Sequence, residues 1–131
     1  MVKTIDANGL ILGRLATAAA KLALCGEQIQ IINCEKTAIS GSLSKVEKMK
    51  KLRSMGSPFK GPFYPKSPER IVKRAIRGML PYKQERGRQA LSRVKCYISK
   101  PEELKTDEMI SIPGASKDKL VAIKSLQLKS L

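Results

Sequence analysis

The chain has 131 residues, 42% of them hydrophobic, with 26 Lys and Arg against 11 Asp and Glu, no His, and a formal net charge of +15. That length and apolar content suit one domain with its own core and argue against wholesale disorder. The charge excess repels itself unless a polyanion is the normal neighbour, nucleic acid first and an anionic membrane surface second.

Other absences narrow the choice. Without histidine there is no Ser-His-Asp or Cys-His catalysis and no His-bearing zinc site. No apolar run approaches the ~20 residues that span a bilayer. The start, MVKTIDANG, has no signal-peptide pattern, so an intracellular protein is expected. Cys25, Cys34 and Cys96 are odd in number and form no CxxC, which reads as reduced thiols in apolar positions.

VKTIDA opens the chain as a short strand, and Asp6-Ala-Asn-Gly9 supplies turn chemistry. A helix is expected from Gly13 to Leu24, where Leu15, Ala19, Leu22 and Ala23 share a face and Gly26 is placed for a left-handed C-cap. Gln28 to Cys34 carries Ile29, Ile31 and Ile32 and predicts a buried strand, completing a right-handed βαβ unit. Lys36 to Ser40 is expected to add a short strand. Ser42 or Ser44 is placed to cap the helix LSKVEKMKKLRS, with Leu43, Val46, Met49 and Arg53 on a narrow face among lysines.

The stretch GSPFKGPFYPKSP follows. Its prolines at 58, 62, 65 and 68 exclude regular helix or central strand. It reads either as a flap folded on the core or as an extended arm of about residues 55–67, whose rings meet bases or sugars and whose lysines meet phosphates. Ser67-Pro68-Glu69 then starts a helix running to about Leu80. Ile71, Val72, Ala75, Ile76, Met79 and Leu80 form its inner face, and Arg70, Lys73, Arg74 and Arg77 its outer face. Four cations with only Glu69 nearby repel one another, which an anion would relieve. Pro81 stops the helix. GRQALSR is expected as a short helix and VKCYIS, Val94 to Ser99, as a strand. PEELKTDEMI is expected to carry a helical turn, Pro113-Gly114 a turn, and residues 117–131 an edge strand or short helix.

Gly9 to Arg14, GLILGR, sits where a nucleotide-binding loop would, but G-x-x-x-G is not G-x-G-x-x-G. Tight packing of the helix on the sheet, with Arg14 reaching phosphate, is the better reading. A small nucleotide-binding α/β enzyme stays as a rival.

VKTIDANGLILGRLAT, then IINCEKTAISG, then KRAIRGMLPYKQERGRQALSRVKCYI, occur in an order that resembles the universal large-subunit ribosomal protein thirteen family, from about Val2 to Leu104. RGMLP followed by GR is the most specific block. The Ser-Lys-Pro-Glu-Glu-Leu that follows resembles the archaeal and eukaryotic branch. Without a long basic C-terminal extension the chain looks like an archaeal-type member. The resemblance implies an α/β fold of three layers, α/β/α, with a small, mainly parallel central sheet of about four strands, to which the residues add the extended Pro/Phe-containing basic arm. A single domain over residues 1–131 is expected from the length, with 105–131 least securely aligned to the family.

The resemblance also implies a structural constituent of the large ribosomal subunit that binds large-subunit rRNA and joins early in assembly, with no catalytic activity. The expected partners are large-subunit rRNA and neighbouring large-subunit ribosomal proteins, with no membrane, small-molecule substrate, cofactor or metal. The expected rRNA-binding residues begin with Arg14 and Lys36. Lys48, Lys51 and Arg53 follow on the second helix, and Lys60 and Lys66 on the arm. Lys73, Arg74 and Arg77 lie on the basic helix, with Gly78 and Met79 at its end and Lys83, Arg86, Gly87, Arg88 and Arg93 beyond. Gly78 would let an RNA backbone approach closely. Met79 is drawn inward by periodicity and outward by its place beside Gly78. A free RNA-binding regulator is the other rival.

Overall fold

The computed structural model describes residues 1–40, 43–104, 107–113 and 125–127. For residues 43, 45, 46, 50 and 53, and for 125–127, it describes the backbone alone. The opening βαβ unit forms as its patterns require: β1 is Val2–Asp6, α1 is Leu12–Leu24 and β2 is Gln28–Ile32. Gly26 takes φ 95 just past α1. Its N–H donates to Ala23 O, and the Glu27 N–H donates to Leu22 O, so two carbonyls at the helix end are satisfied.

After β2 come β3 (Ala38–Ser40), α2 (Leu43–Ser54), α3 (Pro68–Met79), α4 (Glu85–Ser92), β4 (Val94–Cys96), β5 (Glu108–Ile110) and β6 (Ser125–Gln127). Several boundaries differ from expectation for local reasons. β2 stops before Asn33, whose φ of 56 turns the chain into a 3-10 turn over Cys34–Lys36. The Asn33 side chain donates to Asp6 Oδ1 at 2.9 Å and fixes that turn at the end of β1. α4 begins at Glu85 rather than Gly87, and β4 ends at Cys96. In PEELKTDEMI a turn does occur, Leu104 N–H to Pro101 O, but Glu108–Ile110 is a strand. Ser44 lies inside α2 rather than capping it, and Ser42 and Gly114 fall outside the described residues. Of residues 117–131 only Ser125–Gln127 is described, and it is a strand.

β1 pairs in parallel with β2 (Ile5 with Ile31) and with β5 (Ile5 with Ile110), and β2 pairs in parallel with β4 (Ile29 with Val94). The sheet order is β4-β2-β1-β5, four strands and all parallel, with helices packed on it: an α/β fold. A separate antiparallel pair joins β3 to β6, Ile39 opposite Leu126. The steps β1 to β2 and β2 to β4 run in the same direction across the sheet. Right-handed crossovers therefore bring α1, α3 and α4 to one face. The step from β4 to β5 runs the other way across the sheet.

Register makes Ile5, Ile29, Ile31 and Val94 neighbours on the helix-bearing face. They join Leu15, Ala19 and Ala23 of α1, Val72 and Ile76 of α3 and Ala90 of α4 in one buried cluster. Each large side chain buried there contributes about 1.5–3 kcal/mol. Ala16, Ala19, Ala20 and Ala23 keep the surface of α1 low, so that α3 and α4 both pack against it. α3 is thus pinned by its apolar face and shows its other face to solvent.

Candidate nucleic-acid interface

α3 has Ser67 at its N-cap and Pro68 at its first position, although the Ser67 hydroxyl makes no capping bond. Ile71, Val72 and Ile76 are buried. On the other side Arg70, Arg74 and Arg77 are exposed and Lys73 is half-buried. Among the described residues none of the four is ion-paired. A row of uncompensated cations on a rigid helix is unfavourable alone and favourable beside phosphates.

Two of these arginines are held in place by rings. The Arg74 guanidinium lies over Tyr64, 4.7 Å from the ring centroid, and its Nη1 donates to Phe63 O at 3.3 Å. Arg77 lies over Tyr82 at 5.2 Å. Such contacts contribute about 0.5–1 kcal/mol at exposed sites and limit where the charge can point. Arg74 thereby fastens the proline-rich stretch to α3, while Phe59 and Phe63 remain 94% and 73% exposed.

The RGMLP corner divides its residues between two tasks. Leu80 is buried and Pro81 follows it. Gly87 is buried too: a Cβ there would overlap the Pro81 carbonyl oxygen, so the corner between α3 and α4 closes only over glycine. Gly78 is exposed, has an ordinary φ, and a Cβ on it would meet nothing. The fold has no need of a glycine there, and the bare backbone faces outward. Met79 is 44% exposed despite its periodicity, and the Thr17 hydroxyl lies 3.2 Å from its sulfur. Lys83 and Arg86 are exposed, and Arg88 pairs with Glu85 at 2.7 Å, a surface ion pair.

The remaining predicted positions lie on other elements. Arg14, Lys36, Lys48, Lys51, Lys60 and Lys66 are all exposed, and the side chain of Arg53 lies outside the described residues. Arg93 is also tied to the fold. It is half-buried, and its Nη1 donates to Ala23 O at 3.2 Å, so its charge sits at the negative end of α1.

The loop before α1 is used by the fold. The Gly9 N–H donates to Lys36 O and the Leu10 N–H donates to Ala7 O, so neither donor is available to cradle a nucleotide phosphate. All three cysteines are free thiols. The hydrogen bond between Cys34 and Cys96, with burial, pushes the Cys34 thiol well above its ordinary pKa. Among the described residues no acidic or cysteine cluster is placed to hold a metal ion, and no helix is long and apolar enough to cross a membrane.

Arg70, although read from the sequence as part of the cationic face of α3, and Tyr82 are not among the expected rRNA-binding residues. Arg70 was detectable, since it stands one and two turns before Arg74 and Arg77. Nothing in the sequence signals Tyr82, which reaches Arg77 only because the chain folds back at Pro81.

The chain matches the family described as Ribosomal protein L13 over residues 1–103. It is similar to the large ribosomal subunit protein uL13 of Methanosarcina barkeri, 52% identical over 126 residues, which covers 95% of this chain and 90% of the relative. It is 47% identical to the protein of the same name from Methanococcoides burtonii, covering 88% of this chain and 84% of the relative. The corresponding protein of Archaeoglobus fulgidus is 46% identical, with coverage of 88% and 75%.

Proposed function

From the premise that the chain belongs to the ribosomal protein L13 family, we propose that it binds large-subunit rRNA as a structural constituent of the large ribosomal subunit and joins that subunit early in assembly. The coarser part follows from the family: this is a cytoplasmic protein of the large ribosomal subunit and not an enzyme.

The observation that carries the rRNA reading is the outward face of α3. Arg70, Lys73, Arg74 and Arg77 stand on a helix whose inward face is locked into the core, and among the described residues none of them is ion-paired. Phosphates relieve that repulsion and release counterions. Lys83 and Arg86 extend the charge past the corner, Lys48 and Lys51 extend it along α2, and Lys60 and Lys66 along the arm. Gly78 gives RNA backbone a bare approach between them. Recognition on this surface is of backbone and shape, with a few unstacked bases meeting apolar groups. Neighbouring large-subunit proteins complete its surroundings.

Sedimentation of cell extract tests the reading. The protein is expected in large subunits and their early precursors. A pool found mostly outside subunits would favour a free RNA-binding regulator.

A further inference from the structure

Two cavities share one wall. The first, about 260 Å³, is almost wholly apolar and lies between α2, α3 and the arm; Met49, Leu52, Tyr64, Pro65, Ala75 and Arg74 are among its lining residues. The second, about 370 Å³, shares Tyr64, Pro65 and Arg74 with the first and carries four cations, Arg70, Lys73, Arg74 and Arg77, with no acid in its lining. The wall between them is the Tyr64 ring with the Arg74 guanidinium 4.7 Å from its centroid, fastened to Phe63 O at 3.3 Å.

We propose that this pair of cavities is a site for one unpaired nucleotide of RNA, with the base in the apolar cavity and its phosphate in the cationic one. The proposal rests on the rRNA-binding reading and adds the class of nucleotide recognised. A single flat ring system suits the first cavity, which is smaller than the usual small-molecule site. Its lining offers an aromatic ring and aliphatic edges, the surfaces on which extruded bases stack irrespective of sequence. A purely apolar occupant would leave the second cavity's charges unanswered, whereas a phosphate one bond chain away from the base answers them. Arg74 belongs to both linings, so its charge meets the phosphate while its plane bounds the base. Lys48 and Lys51, exposed on α2, are also of the sign that attracts a polyanion to the rim.

The test uses the full chain bound to a large-subunit rRNA transcript. Dimethyl sulfate and carbodiimide probing together read all four bases, and hydroxyl radicals read the backbone. Wild type is expected to protect at least one base that is reactive and unpaired in free RNA. Ala75→Met, which fills the apolar cavity from α3, is expected to restore that base to its free reactivity while the backbone footprint persists. Leu52→Trp fills the cavity from α2 and guards against one variant that folds poorly; thermal melts check both. Affinity is expected to fall by about ten-fold, the scale of one lost base stack. Unchanged base protection in both filled variants, or no unpaired base protected by wild type beside a clear backbone footprint, overturns the nucleotide site. Loss of every footprint in wild type would instead refute rRNA binding itself.

Discussion

Gly87 of α4 lies flat against the backbone of Pro81, so close that a Cβ at position 87 would overlap the Pro81 carbonyl oxygen. That carbonyl also accepts the Gln84 N–H at 2.9 Å, and Gln84 O accepts the Gly87 N–H at 3.1 Å, so the corner is a closed set of contacts. Gly87→Ala is therefore expected to cost about 1–3 kcal/mol, as overpacking does, measured by urea denaturation.

Gly78 should behave in the opposite way. Its Cβ would enter open space, and glycine near the end of α3 is weaker than alanine there by up to about 1 kcal/mol. Gly78→Ala is expected to leave stability unchanged or raise it slightly and to weaken rRNA binding. Binding equal to wild type would remove Gly78 from the interface.

Arg93 separates structure from RNA contact. Its bond to Ala23 O joins the segment before β4 to the end of α1 across the core. Arg93→Met is expected to lower stability by about 1.5–3 kcal/mol, the range for a bond to a charged donor, while the salt dependence of RNA binding stays as in wild type. A shallower salt slope with intact stability would return Arg93 to the RNA-facing set.

Removing charge from α3 should do the reverse. Arg70→Gln with Arg77→Gln removes like charges that have no ion-pair partner among the described residues and one ring contact, Arg77 to Tyr82. Stability is expected to change by less than about 1 kcal/mol. Affinity for rRNA at physiological salt is expected to fall at least about ten-fold, read by filter binding. A large drop in melting temperature would mean these arginines hold the fold.

The thiols give a prediction in pH. Cys34 is fully buried and its pKa is raised by its hydrogen bond to Cys96 and by burial, so it remains protonated well above the ordinary thiol range. Only thiolates alkylate readily. Iodoacetamide at mildly alkaline pH is expected to label the exposed Cys25 and spare Cys34 until denaturant is added. A raised folded-state pKa means that stability from this thiol is present at low and neutral pH and is lost as pH climbs toward that pKa.

The parts of this fold legible in the sequence are those where one period dominates over a long enough run. α1 and α3 carry their buried stripes in plain view, and Ile29, Ile31 and Ile32 mark β2 between them. β5 escapes because three residues, Glu108–Ile110, have no period, and only the free edge of β1 makes them a strand. Met79 escapes because position in the helix, not period, decides its exposure: α3 ends there and Leu80 takes the inward place. Of the site, the basic face of α3 could be read from spacing alone. The two cavities could not, since they depend on the arm returning Tyr64 to Arg74 across a proline-rich stretch that propensity leaves unplaced. Gly87 and Gly78 look alike in RGMLPYKQERGR, and only three-dimensional packing shows that one serves the corner and the other leaves a surface bare.

The most direct measurement is the equilibrium affinity of the full chain for a large-subunit rRNA transcript across a salt series. If the outer face of α3 and its neighbours neutralise phosphates, the logarithm of the affinity falls steeply and linearly with the logarithm of salt concentration, by about 0.7–0.9 for each phosphate met. The four cations of α3 alone then account for a slope of roughly 3, and the flanking lysines and arginines add to it. A slope near zero, with binding otherwise intact, would contradict phosphate recognition as the basis of this surface.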